Sequence, residues 1–229
     1  KMEMMMTMSR YIALDIETAN LDMDAEGLSF SNPQGWKTSV VCVYNSHEDK
    51  NYIFVGEADY TPAVRKCGGK VGLVYRFDFL LHFLQKWRDG GYLLLTHNGE
   101  GFDFPIMSKS IGDGGVGKCK DILEGWPPSQ KFDSSLYLKQ KTGIRYRLNH
   151  LIHGMLGEDQ SKLMDAANAP IEWAKGNHEE VIRYCVDDCL KTYNVFIGSL
   201  DSGYFTAIGK DEYIPVEAPR IDYQNGLGF

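Results

Sequence analysis

From Tyr11 to Glu17 (YIALDIE) apolar and other residues alternate strictly. Ile12, Leu14 and Ile16 fall on one face of an extended segment, and Ala13, Asp15 and Glu17 on the other, so a half-buried strand is expected. Two β-rich runs follow, Val40–Tyr44 and Tyr52–Val55, separated by the turn-forming Asn45-Ser46-His47-Glu48-Asp49. Together these predict an antiparallel meander. Phe77–Arg88 has the periodicity of an amphipathic helix, and Tyr92–Thr96 is a continuous apolar run, as in a strand buried on both faces. A helix over Asp103–Lys109 comes next. Helical patterning returns near Ser134–Gln140, Leu148–Leu156 and His178–Leu200, with Asn177 and Glu180 spaced as a capping box before the last. Gly56–Arg76 and Ile111–Gln130 read as irregular. The order of elements predicts one α/β domain with a mixed sheet, spanning 11–200. An extension (1–10) precedes it, and a tail (201–229) follows with a short hairpin from Tyr204–Ile208 and Glu212–Val216.

Composition changes this picture little. Hydrophobic residues make up 43% and charged residues 24%, ordinary for a globular domain, and no apolar run approaches the roughly 20 residues of a membrane span. The N-terminus is Met-rich without the small-residue cleavage pattern of a signal peptide. Five scattered cysteines do not form a disulfide framework, so a reducing, cytoplasmic setting is expected. The net charge of −7 is unhelpful to a phosphate-bearing partner, but phosphate binding depends on where the cations sit. Lys131, Lys139, Lys141, Arg145 and Arg147 are interleaved with Phe132, Tyr137 and Tyr146, against the single acid Asp133. Cations beside aromatics suit a groove for a single strand. A solvated charged face over core aromatics suits the segment equally well.

Three short motifs carry candidate chemistry. Asp15 and Glu17 are two residues apart on one strand and so share a face; close carboxylates are costly without a cation, and their oxygens suit Mg²⁺ or Mn²⁺. Taken alone, most such pairs are solvated acids at a strand end. Asn98-Gly99-Glu100-Gly101-Phe102-Asp103 follows the buried strand directly and would bring Asp103 to the same sheet edge. Taken alone, Asp103 would simply cap its helix. Tyr184 and Asp188, four apart, share a helical face. At about 100° per residue, Asp188 lies roughly 40° from Tyr184 at the border of the apolar arc, whereas Asp187 lies roughly 60° to the other side, toward water.

In that order, DIET, NGEGFD and YCVDD resemble the three exonuclease motifs of the DEDD superfamily, and Tyr-x3-Asp resembles its tyrosine branch. The likeness is to the proofreading domains of family-B DNA polymerases and their stand-alone relatives, over about 11–200. It implies a ribonuclease H-like α/β fold and 3′→5′ hydrolysis of nucleic acid, most naturally single-stranded DNA, with two Mg²⁺ or Mn²⁺ ions. Carried over residue by residue, Asp15, Glu17 and Asp188 hold one ion, Asp15 bridges to a second, and Asp103 contributes directly or through water. Tyr184 orients the attacking water or assists its deprotonation. Asn98 and Phe102 shape the site and stack a terminal base, and Lys139, Lys141, Arg145 and Arg147 would meet the strand's phosphates. Replication or repair proteins are the implied partners.

Other readings were weighed. Gly112 to Cys119 (GDGGVGKC) satisfies G-x4-G-K, but Cys119 stands where a P-loop needs Ser or Thr, and a helix rather than a strand precedes it. Cys185, Cys189 and His178 lack a complementary pair for a structural zinc site, so core thiols fit better. Trp36, Trp87, Trp126 and Trp173 read as core. The same site would also serve an RNase or a structure-selective endonuclease, and an inactive ribonuclease H-like binding module is the alternative of a different class. Retention of all four carboxylates favours an enzyme.

Overall fold

The computed structural model describes residues 10–21, 26–29, 35–111, 116–157, 163–207 and 213–216. A six-stranded mixed sheet in the order β4-β3-β2-β1-β5-β6 is flanked by helices on both faces. The expected meander is present: β1 (Tyr11–Thr18), β2 (Thr38–Asn45) and β3 (Lys50–Val55) pair antiparallel in sequence. β5 (Leu93–Thr96) then lies parallel to β1, with Ala13 opposite Leu95. This brings the carboxyl ends of β1 and β5 to one edge, the usual place for a site in an α/β sheet.

The alternation in β1 divides the core in two. Ile12, Leu14 and Ile16 pack against α2 (Phe77–Asp89), α3 (Asp103–Ser110) and α4 (Val116–Glu124). Tyr11 and Ala13 face the opposite layer, built mainly on α8 (His178–Ser202). Leu80, Leu84 and Trp87 recur at helical spacing on α2 and are buried against the first layer. Burying each is worth about 1.5–3 kcal/mol. All four tryptophans are buried.

Several segments depart from the sequence expectation. Gly56–Arg76 is not irregular: it contains α1 (Pro62–Gly68), with Thr61 capping the Val64 N–H and Pro62 in its first turn, and β4 (Leu73–Arg76), parallel to β3. Ile111–Gln130 contains α4, and β6 (Lys131–Asp133) extends the sheet beside β5. α5 (Ser134–Thr142), α6 (Leu148–Leu156) and a short α7 (Ala169–Ala174) follow. The Asn177 side chain does not cap α8; its amide donates to Glu172 at 2.6 Å instead. In the tail, β7 (Tyr204–Phe205) pairs antiparallel with β8 (Ile214–Pro215), and Phe205 and Ile214 are buried in the α8-side core. The remaining tail residues, 208–212 and 217–229, and the N-terminal 1–9 lie outside the described residues. Among the described residues no helix is long and apolar enough to cross a membrane.

Candidate active site

Asp15 and Glu17 share the α8 face of β1, as two-residue spacing requires. A register shift falls between Glu17 and Thr18, where β1 leaves its pairing with β2. Such irregularities re-aim side chains at strand ends. One oxygen from each carboxylate and the Sγ of Cys185 on α8 all lie within 4.8 Å of one another. The Cys185 thiol donates to the Asp15 carbonyl at 3.5 Å, so this turn of α8 is seated directly on β1.

The same turn delivers Tyr184 and Asp188. Tyr184 is 1% exposed and Asp188 2%, and the two are hydrogen-bonded to each other. Burial, and then the charges of Asp188, Glu17 and Asp15, push the Tyr184 phenol far above its ordinary value. Its hydroxyl donates to the Asp188 carboxylate in the metal-free chain. Asp187 stands elsewhere on the helix, ion-paired with Lys191 at 2.6 Å. Asp187 is about a quarter exposed beside exposed Arg183, on the wetter flank that wheel geometry implied, although Lys191 is itself buried.

Asp103 comes to the edge from the other layer. The Asn98–Phe102 loop leaves β5 and turns so tightly that Asn98 adopts φ +67°. The Asn98 carbonyl accepts the N–H groups of Gly101 and Phe102 at 3.2 and 3.0 Å. A Cβ on Gly99 would approach the Thr96 Cβ to 2.6 Å, so that position needs glycine, whereas one on Gly101 would displace only the Asn98 amide oxygen, 2.8 Å away. α3 then begins at Asp103, which is 5% exposed. Phe102 is half-buried edge-on against Trp36, with ring centroids 5.4 Å apart.

A residue that the sequence reading had counted only as a stray acid holds this loop. Buried Asp133 accepts the N–H groups of Asn98 at 2.9 Å and Glu100 at 3.1 Å, the Thr96 hydroxyl at 3.3 Å, and the Leu136 N–H at 3.0 Å as N-cap of α5. The only signal in the sequence was an Asp directly before Ser-Ser and a helical pattern, as at a helix N-cap.

The basic stretch divides. Lys139 and Arg145 line a small cavity with Asn98, Glu100, Asp133 and Ser135, and Arg145 donates to the Asn98 side chain at 3.3 Å. Lys141 lies over the Tyr137 ring, and Arg147 stands exposed before α6. The stacking groove expected of the aromatics is not present. Phe132 and Tyr146 are buried in the core, and Tyr137 packs on Phe132 and donates to the Pro215 carbonyl at 2.8 Å. Residues 112–115 of the P-loop-like stretch lie outside the described residues, but α3 precedes them where a P-loop needs a strand.

The donor set fits a hard divalent cation. Glu17 is 6% exposed, and it and Asp15 act on Tyr184 together with Asp188, so several carboxylates crowd one partly desolvated spot. Such a cluster stays ionised at low cost only with a cation, and its oxygens match Mg²⁺ or Mn²⁺. Among the described residues Asp15 and Glu17, with the Cys185 sulfur, are the groups whose ligand atoms converge within 4.8 Å; Asp188 and Asp103 lie outside that group.

Comparison with protein-family models finds no match, and comparison with curated proteins finds none either. Among solved structures the fold is similar to the family B DNA polymerase from the hyperthermophilic archaeon Pyrobaculum calidifontis, with a TM-score of 0.50 and 15% identity over 84% of this chain. The chain spans 24% of that polymerase's length. At this identity the likeness is one of architecture: the chain has a ribonuclease H-like α/β fold, a six-stranded mixed sheet flanked by helices.

Proposed function

We propose that this chain is a metal-dependent 3′→5′ exonuclease acting on the end of a single nucleic-acid strand. The observation that carries the reading is the placement of Tyr184 among Asp188, Glu17 and Asp15 by the seating of α8 on β1. A lone acidic pair is common on protein surfaces. A buried phenol hydrogen-bonded to one carboxylate and within electrostatic reach of two others, at the carboxyl edge of a ribonuclease H-like sheet, is not.

The roles follow from the chain's own groups. Asp15, Glu17 and Asp188 hold the divalent ions, and Asp103 completes the set from α3. When bound, the ions would neutralise the developing charge on the phosphate and make water a better nucleophile. Tyr184, its hydroxyl held by Asp188, orients the attacking water or assists its deprotonation. Asn98, held by Arg145, and the half-buried Phe102 shape the floor on which the terminal nucleotide lies. Lys139 and Arg145 supply the nearest cations for the strand's backbone, and the two outlying cations, Lys141 and Arg147, contribute only long-range attraction.

DNA is the proposed substrate because one structural neighbour is a DNA polymerase. An RNase or endonuclease with the same site is the second reading. The test is cleavage of end-labelled single strands of DNA and RNA with Mg²⁺, beside a covalently closed DNA circle. Stepwise shortening of the linear strands, stopped by EDTA, supports the proposal. Efficient cutting of the circle would make the protein an endonuclease.

A further inference from the structure

The Cys185 thiol is the one group among the clustered carboxylates that hydrolysis does not require. Its Sγ and an oxygen from each of Asp15 and Glu17 share a space no wider than 4.8 Å. Behind it lie two more buried thiols, Cys42 on β2 and Cys189 one turn along α8, both within hydrogen-bonding reach of Cys185. The Cys189 thiol is anchored in turn on the Cys42 carbonyl at 3.2 Å. The acid pair therefore has a sulfur beside it in addition to its own carboxylate oxygens.

Ions differ in their response to that neighbour. Mg²⁺ takes oxygen ligands and gains nothing from a thiol. Zn²⁺ and Cd²⁺ favour sulfur, and zinc bonds sulfur at about 2.3 Å and carboxylate oxygen at about 2.0–2.2 Å. Two such bonds span at most about 4.5 Å, so adjustment by a few tenths of an ångström brings all three groups onto one ion.

We propose that Asp15, Glu17 and Cys185 form a mixed oxygen–sulfur site that binds thiophilic divalent cations and through which Zn²⁺ or Cd²⁺ displaces Mg²⁺. On binding, the Cys185 thiol releases its proton to solvent and the thiolate becomes the third ligand, so that two carboxylates and one thiolate face one dication. The inference rests on the carboxylate metal site proposed above. It adds a form of regulation: trace zinc would hold the enzyme inactive in the presence of Mg²⁺.

The test is titration of the reduced, metal-stripped chain with Cd²⁺, followed by thiolate-to-cadmium charge-transfer absorption in the near ultraviolet. One equivalent should saturate a band that Mg²⁺ does not produce. The band should vanish in Cys185→Ser and persist in Cys67→Ser, which removes a half-exposed thiol on α1. Asp15→Asn leaves every thiol in place, and it should weaken Cd²⁺ binding about tenfold or more. If Cys185→Ser does not fold, as judged by circular dichroism, the Asp15→Asn titration decides. No band, a band that survives in folded Cys185→Ser, or one indifferent to Asp15→Asn would overturn the inference. The band is independent of cleavage. A saturating band on a protein that cuts no nucleic acid would refute only the nuclease, and Mg²⁺-dependent cutting without a band would refute only the sulfur ligand.

Discussion

Replacing Asp133 by alanine should be among the most damaging single changes outside the hydrophobic core. The carboxylate is the shared acceptor for the N–H groups of Asn98, Glu100 and Leu136 and for the Thr96 hydroxyl. The Leu136 bond is the N-cap of α5, worth about 1 kcal/mol when such a cap is cut to alanine. The two loop bonds go to a charged acceptor and are part-buried, worth up to about 1.5–3 kcal/mol each. Water entering the space recovers part of this, so we expect a loss of about 3–5 kcal/mol, a large share of the 5–15 kcal/mol typical of a domain. Asp133→Asn keeps one oxygen for Asn98 and Leu136 but turns an amide N–H₂ toward Glu100 and Thr96, so it should cost less than alanine. Urea unfolding of the three proteins measures both differences. Because the loop places Asp103, turnover should also fall in whatever fraction remains folded. An alanine variant within about 1 kcal/mol of the parent, or an asparagine variant worse than alanine, would refute the assignment of Asp133 as the loop's anchor.

Asp15→Asn or Asp188→Asn should abolish nearly all cleavage with the metal-free fold as stable as before, because relief of like-charge crowding offsets lost contacts; Asp187→Asn, altering only the pair with Lys191, should retain most activity in the same assay. Tyr184→Phe should slow turnover by about 10²–10⁴-fold, the range for a positioned proton-handling group, with Mn²⁺ affinity by calorimetry little changed. Gly154→Ala should destabilise the tail's contact with α6 by about 1–3 kcal/mol, since its Cβ would lie 2.7 Å from the Ala207 Cα, and thermal unfolding would show it.

The sequence made some parts of this molecule readable for physical reasons. β1, α2 and α8 each sustain one periodicity long enough to exclude the other, and β2, β3 and β5 are short β-branched or apolar runs set off by turn residues. β6 was missed because it is three residues long, two of them charged, and its pairing with β5 is what makes it a strand. The short α1 did announce itself through Thr61 and Pro62, but glycines at 68, 69 and 72 masked it. Phe132 and Tyr146 looked like stacking residues because their spacing among cations does not reveal which way they turn; tertiary packing sent both inward. Wheel geometry separated Asp188 from Asp187 because a helix fixes direction locally. Asp133 and Cys185 acquire their roles only from neighbours many residues away, and nothing local encodes that.

The central claim is the stepwise removal of nucleotides from a free 3′ end. A 5′-labelled single-stranded DNA, incubated with the protein and Mg²⁺ and resolved over time at single-nucleotide resolution, tests it directly beside the same strand bearing a 3′-phosphate. The account predicts a ladder descending one nucleotide at a time from the free end, resistance of the phosphorylated strand, and no ladder with Asp15→Asn. Immediate appearance of short internal fragments from both strands, or an undiminished ladder with Asp15→Asn, would contradict it.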